Sequence, residues 1–365
     1  MRRIFITSRI EKLASDYLKE MLYKTRNAEI SRACTQLEKL ISEITNGRLV
    51  SLPVINESGN EIYPRRTSIE LVTYIRKIKS DYIQLITITP SQFISKITEF
   101  ESLISTDEIS KIKFERIGNA NGSPTHNEKS YFHEHLVRAM RYNYVQRVVF
   151  PKYIRALGIK TCVYCNSQYA ITTRSHETLF QLDHCLPKSR YPYLCTSFFN
   201  LQPCCGSCNL RKSDNDMLHG KYFATIWRDD SDPDKDFFSF ALKDYALARY
   251  LLSHEKDDLE TEFLLIKESS NDLKSLHKDY LEFFKIDSLY SEHKDIAEEI
   301  IWKKYVYSLA YINSLRTAFK NWIKKDTVDV ARLIMGNYMN ADEIFLRPLS
   351  KFMQDIVKQL HFEIN

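Results

Sequence analysis

Four cysteines stand in two C-x2-C pairs, Cys162/Cys165 and Cys205/Cys208, with about 40 residues between the pairs. Two such pairs can converge on one tetrahedral Zn2+. Four thiolates leave that ion no open position, so it would act as a clamp rather than a reagent. Two other donors could replace one thiolate: Cys204, which forms a Cys204-x3-Cys208 spacing, and His176, which lies between the pairs. Seven of the eight cysteines fall in this middle segment, and in a reducing compartment such spacing signals metal before disulfides. Cys34, Cys185 and Cys195 read as ordinary buried or semi-buried thiols. Between the pairs, LFQLDH alternates like a short strand ending at Asp183 and His184. NLQPC, from Asn200, reads as its partner, and GSCNLRKSDND opens a helix. Asp183 and Asn209 could then face each other across a hairpin-on-helix groove.

The stretch 162–216, with its D-H pair, central Asn and closing C-x2-C-N-x2-K run in that order, resembles an HNH endonuclease of the zinc-stabilised ββα-metal type. The likeness covers about 55 of the 365 residues. It implies that Cys205 rather than Cys204 is the zinc ligand and that Asn200 orients the loop of the general base. Asn209 stands where the family name has its second His. A phosphodiester needs an activated water, charge stabilisation on the phosphoryl oxygens and help for the leaving oxygen. His184, with an ordinary pKa near neutrality, would supply the first as general base. A hard cation, Mg2+ or Mn2+, on the Asp183 carboxylate and the Asn209 amide would supply the other two. Lys188, Arg190, Arg211 and Lys212 would contact phosphates, gripping the backbone without reading sequence, and each is equally well read as a solvated basic side chain. Singly, a His after an Asp is usually a satisfied polar pair, and an Asn before a Leu is usually a cap. It is the joint occurrence of Asp183-His184, Asn200 and Asn209 inside both cysteine pairs that favours chemistry. His133 and His135 project to different faces of a helix and read as structural.

These residues need a frame, and the rest of the chain reads as helical. Apolar residues recur at helical spacing in Leu18, Leu22, Ile30, Ala33, Leu37, Leu40, Ile41 and Ile44, and again in Phe93, Ile94, Ile97, Phe100, Leu103 and Ile104. Thr89-Pro90 announces the second of these helices, and Ser105 with Glu108 makes a capping box for the next. Residues 53–64 read as a loop or short hairpin, 116–128 as a hinge, and 130–157 as a lead-in helix to the first cysteine pair. The acidic run Asp229, Asp230, Asp232, Asp234 and Asp236 reads as a solvated linker. Ile296, Ile300, Ile301, Leu309, Ile312, Leu315, Phe319 and Trp322 mark one long helix. Leu349, Phe352, Met353, Ile356, Val357 and Leu360 mark a last one. The expected fold is therefore mainly α: a helical domain over 1–125, a zinc-bound ββα-metal module with its lead-in helix over 126–228, and a helical domain over 229–365.

Composition narrows the alternatives. Only 8 glycines and 10 prolines in 365 residues disfavour P-loop, Rossmann and tight all-β readings. With no signal-peptide or membrane-length apolar run, the expectation is a soluble, cytoplasmic protein. Residues 152–221 carry nine Lys/Arg against four acids, an excess equal to the whole net charge of +5, as a polyanion-binding surface would. The leading expectation is a metal-dependent nuclease cutting DNA. With its helical flanks and the tail segments FFKIDSLYSEHKD (283–295) and RPLSKFMQDI (347–356), the arrangement resembles HNH effectors of bacterial anti-phage defence. One such effector is the HNH subunit of Septu, and that likeness implies an ATPase or other defence-system partner. The competing readings are an RNA-cleaving HNH nuclease and a zinc-knuckle nucleic-acid-binding or scaffold protein without catalysis, which would need neither Asp183 nor His184.

Overall fold

A computed structural model of the chain describes residues 3–23, 29–117, 130–215, 225–228, 238–265, 278, 280–322 and 329–364. Helices dominate it. Helices Ser8–Tyr23, Glu29–Thr45, Ser68–Thr87 and Pro90–Glu101 bury the stripes that a 3.6-residue period puts on one face, among them Leu37, Ile41 and Ile44, then Leu71, Ile75 and Ile78, then Phe93, Ile97 and Phe100. Thr89 caps the fourth of these, with Pro90 in its first turn. Ser105 accepts the Glu108 N–H at 3.2 Å, but the capping box is only half formed. The Glu108 carboxylate turns instead to Arg66, which donates to both oxygens at 2.6 Å.

Segment 53–64 does contain a hairpin, Val54–Ile55 with Glu61–Tyr63. Strands Leu49–Ser51, Lys113–Arg116 and Ser130–Tyr131 form a three-stranded antiparallel sheet. The expected hinge and the 125/126 boundary fall mostly on 118–129, outside the described residues; the strands on either side of that stretch pair directly. The acidic run after residue 228 also lies outside them.

Three expectations are corrected. The lead-in over 130–157 is not one helix. Phe132–Ala139 ends before Arg141, which sits at φ +60°, and a π-helical turn Val145–Val149 leads to a new start, Pro151–Leu157. Pro151 lacks the N–H that a continuous helix would use. The long C-terminal helix is two, Lys294–Val306 and Leu309–Trp322, because Tyr307 is extended and Ser308 Oγ accepts the Tyr311 N–H at 3.3 Å, capping the second. The C-terminal segment is also not purely helical, since it opens with an antiparallel hairpin, Phe238–Leu242 and Thr261–Leu265. The N–H groups of Phe240 and Leu242 are taken by Asp355 Oδ2 at 2.9 Å and Gln359 Oε1 at 2.8 Å, from one face of the last helix, Ser350–Gln359.

Buried side chains from all three stretches join in one contiguous core. The N-terminal helices hold the loop that follows His184. Tyr193 stacks on Phe100 with ring centroids 3.8 Å apart, and Tyr17 donates to the Thr196 carbonyl at 2.8 Å. Among the described residues no helix is long and apolar enough to cross a membrane.

Candidate metal centre and cleft

The turn at 162–165 and the start of helix Gly206–Lys212 bring the Sγ atoms of Cys162, Cys165, Cys205 and Cys208 within 4.8 Å of one another, Cys165 and Cys205 at 4.0 Å. Four sulfurs at Zn–S bond length around one ion stand roughly 3.8 Å apart, so the set could hold a metal ion such as zinc. Cys205, not Cys204, belongs to it. Consecutive residues leaving a strand face opposite ways, and the Cys204 thiol points back to the Gln181 carbonyl at 3.4 Å. His176 is exposed in a turn at φ +65° and is not part of the set. Ser167 donates to Cys165 Sγ at 3.3 Å, and Tyr290, from the C-terminal region, donates to the Cys165 carbonyl at 2.6 Å.

The same helix, through Asn209, also borders an open cleft of about 430 Å3, lined by Tyr142, Gln146, Asp183, His184, Lys188 and Asn209 among others. Strands Gln181–His184 and Leu201–Cys204 pair antiparallel, with Asp183 opposite Gln202 and His184 opposite Leu201. Asn209 reaches the hairpin from the helix, its Nδ2 donating to Gln181 Oε1 at 2.6 Å. Asp183 is buried. Its Oδ2 accepts the Tyr164 hydroxyl and lies 3.2 Å from Lys212 Nζ. His184 is buried too, against the Tyr142 ring at 4.6 Å between centroids, with Nε2 2.9 Å from the Cys195 carbonyl. A carbonyl can only accept, so the proton sits on Nε2 and Nδ1 is left as an acceptor. Burial, and then the neighbouring Lys188 ammonium, lower the imidazole pKa to about 3, so the ring is neutral at neutral pH.

Asn200 is fully buried and does not line the cleft. Its Oδ1 accepts the Leu186 N–H at 2.8 Å, and its Nδ2 donates to the carbonyls of Leu186 and Leu194, both at 3.1 Å, tying together the loop that leaves His184. The four basic residues are not equivalent. Lys188 is exposed at the cleft, its ammonium 5.1 Å from the Tyr142 ring centroid. Arg211 is exposed on the helix, and Arg190 is half-buried on the side of Asp107. Lys212 corrects the expectation of a phosphate contact. It is fully buried, donating to the His184 carbonyl at 2.7 Å beside Asp183, because the helix turns it inward where Arg211 turns out. Sequence reasoning missed Tyr164 and Gln202. Their signals were faint: an aromatic inside the first C-x2-C, and a polar residue directly across the hairpin from Asp183.

Compared with known proteins, the chain matches no family model, no curated protein and no solved structure.

Proposed function

We propose that this chain is a metal-dependent endonuclease of the HNH type that hydrolyses DNA phosphodiester bonds, with structural zinc on Cys162, Cys165, Cys205 and Cys208. The observation that carries the reading is His184. Its Nε2 proton is held by the Cys195 carbonyl, which leaves Nδ1 as an acceptor, in a cleft that also holds Asp183, Asn209 and Lys188. Nδ1 takes the proton from an attacking water. Asn200 keeps the loop behind the imidazole in place. Lys188, exposed at the rim, meets the substrate phosphate as a point charge, which grips the strand without selecting a sequence. Asp183 and Asn209, two oxygen donors on facing elements, are the residues that would hold Mg2+ or Mn2+. When bound, such an ion neutralises developing charge on the phosphoryl and leaving oxygens.

The test is cleavage of supercoiled plasmid by purified protein in EDTA, Mg2+ and Mn2+, beside His184→Ala, with RNA and single-stranded DNA as parallel substrates. The expected result is metal-dependent nicking or linearisation that falls roughly 10²- to 10⁴-fold in the variant, while zinc content and far-UV circular dichroism are kept. Undiminished cutting by His184→Ala overturns the general-base role. Cutting of RNA alone moves the substrate, and zinc-bound protein that binds nucleic acid without ever cutting it favours the non-catalytic module.

A further inference from the structure

The Tyr164 phenol is fully buried, and its hydroxyl makes two hydrogen bonds in a fixed order. Gln202 Nε2 donates to it at 2.7 Å, which leaves its own proton for Asp183 Oδ2. Gln202 is itself oriented, because its Oε1 accepts the Ile226 N–H at 3.2 Å. A buried tyrosine needs one partner to offset the loss of water; this one is ordered from behind and aimed at a carboxylate that lines the cleft. The Lys212 ammonium, 3.2 Å away, falls on the same oxygen, so both contacts hold Asp183 through Oδ2 and, among the described residues, leave its other oxygen for an occupant of the cleft.

What holds Tyr164 comes from a distant part of the chain. Its ring stacks on Phe284, with centroids 4.5 Å apart and planes 15° from parallel. The Tyr280 hydroxyl donates to its backbone carbonyl, and Tyr290 donates to the next carbonyl, that of Cys165, at 2.6 Å. Three aromatic residues over 280–290 thus grip the two residues that end the first C-x2-C.

We propose that Tyr164 is a positioning residue for Asp183, and that the 280–290 segment sets it, so that the C-terminal region tunes the grip of the cleft on a divalent cation. The consequence for cutting rests on the nuclease reading above; the consequence for cation binding does not. Ionised acceptors strengthen hydrogen bonds, and a carboxylate freed to rotate coordinates less well, so losing the phenol hydroxyl should weaken the cation by about tenfold.

The experiment measures Mn2+ binding to the zinc-loaded chain by electron paramagnetic resonance, for wild type, Asp183→Asn, Tyr164→Phe and Phe284→Ala, alongside plasmid cleavage as a function of Mg2+. Tyr164→Phe keeps the ring on Phe284 and removes only the hydroxyl. The expected result is one Mn2+ lost in Asp183→Asn and weakened roughly tenfold in Tyr164→Phe with zinc content unchanged. Phe284→Ala should shift it less, in the same direction, and the Mg2+ midpoint for cutting should rise in parallel. Tyr164→Phe binding Mn2+ as the wild type does overturns the positioning role and leaves the nuclease reading standing. A wild type that binds Mn2+ at Asp183 but cuts nothing sinks the nuclease reading, and positioning is then decided on Mn2+ alone. A wild type that neither binds Mn2+ nor cuts sinks both.

Discussion

The cysteine cluster and the cleft share the short helix Gly206–Lys212, yet they are chemically opposite. The cluster is closed: four sulfurs within 4.8 Å, three of the four residues buried, and no room for a substrate. The cleft is open, and its Asp183 and His184 are held from behind, by Tyr164 and Lys212 and by the Cys195 carbonyl. Adjacent residues divide between the two. Cys204 faces the hairpin and Cys205 the cluster; Cys208 goes to the cluster and Asn209 to the cleft. A seven-residue helix such as Gly206–Lys212 has no stability of its own in water, so whatever fixes Cys205 and Cys208 also fixes where Asn209 and Lys212 stand. The closed site positions, and the open site is what gets positioned.

The harshest way to break this comparison is to open the closed side. In Cys205→Ser the cluster loses a ligand, and structural zinc sites contribute on the order of 10 kcal/mol or more, comparable to a domain's whole stability. The variant should fail to hold a metal at the cluster and should lose the wild-type cooperative melt. Cys204→Ser removes only a thiol that meets a carbonyl, and should keep both. Metal content by mass spectrometry and a thermal melt decide it. A Cys205→Ser protein with a full metal complement and a wild-type melt would transfer the ligand to Cys204.

How much of this was legible beforehand differs between the two sides for a physical reason. The cysteine pairs, the strand ending at Asp183-His184 and the buried helical stripes are local patterns, set by spacing along the chain, and they stand where the sequence puts them. The Cys204/Cys205 ambiguity needed the strand's phase, which spacing alone does not supply. Lys212 was misread because a seven-residue helix shows too few turns to reveal which face is buried. Tyr164 and Gln202 were missed because their partners, Phe284, Tyr280 and Ile226, are long-range in sequence and carry no motif. The broken lead-in and the split C-terminal helix were overlooked because periodicity continues across both breaks while the backbone does not.

The two faces of that helix offer a sharper, smaller test. Lys212→Met removes a fully buried ammonium and leaves the buried Asp183 carboxylate facing Tyr164 alone. Removing one partner of a buried pair costs roughly 3–5 kcal/mol. Arg211→Ala, one residue earlier and exposed, should stay within about 0.5 kcal/mol of wild type. Urea unfolding of both variants reads the difference. Equal costs would mean that Lys212 is no more embedded than its neighbour, and would return it to the proposed phosphate contacts.

The smallest effect comes from the imidazole at the centre of the open side. The folded pKa of His184 is lowered to about 3, chiefly by burial, against an ordinary value near 6.5. Between those values the unfolded chain binds a proton that the folded chain does not. Stability is therefore complete above pH 6.5 and is lost as pH falls toward 3, with a limiting slope of about 1.4 kcal/mol per pH unit. Over pH 6.5 to 5.5 the cumulative loss is of order 1 kcal/mol, before most carboxylates begin to titrate. Proton competition for the cysteine ligands and the titration of His133 and His135 also act in this window, but they are common to wild type and a His184→Gln variant. The difference between their stability–pH curves isolates the one imidazole, and the variant should show the shallower fall. Parallel curves would mean that His184 protonates in the folded chain near its ordinary pKa. The cleft would then be wetter than its geometry indicates, and the proposed base would lose its acceptor Nδ1 in mild acid.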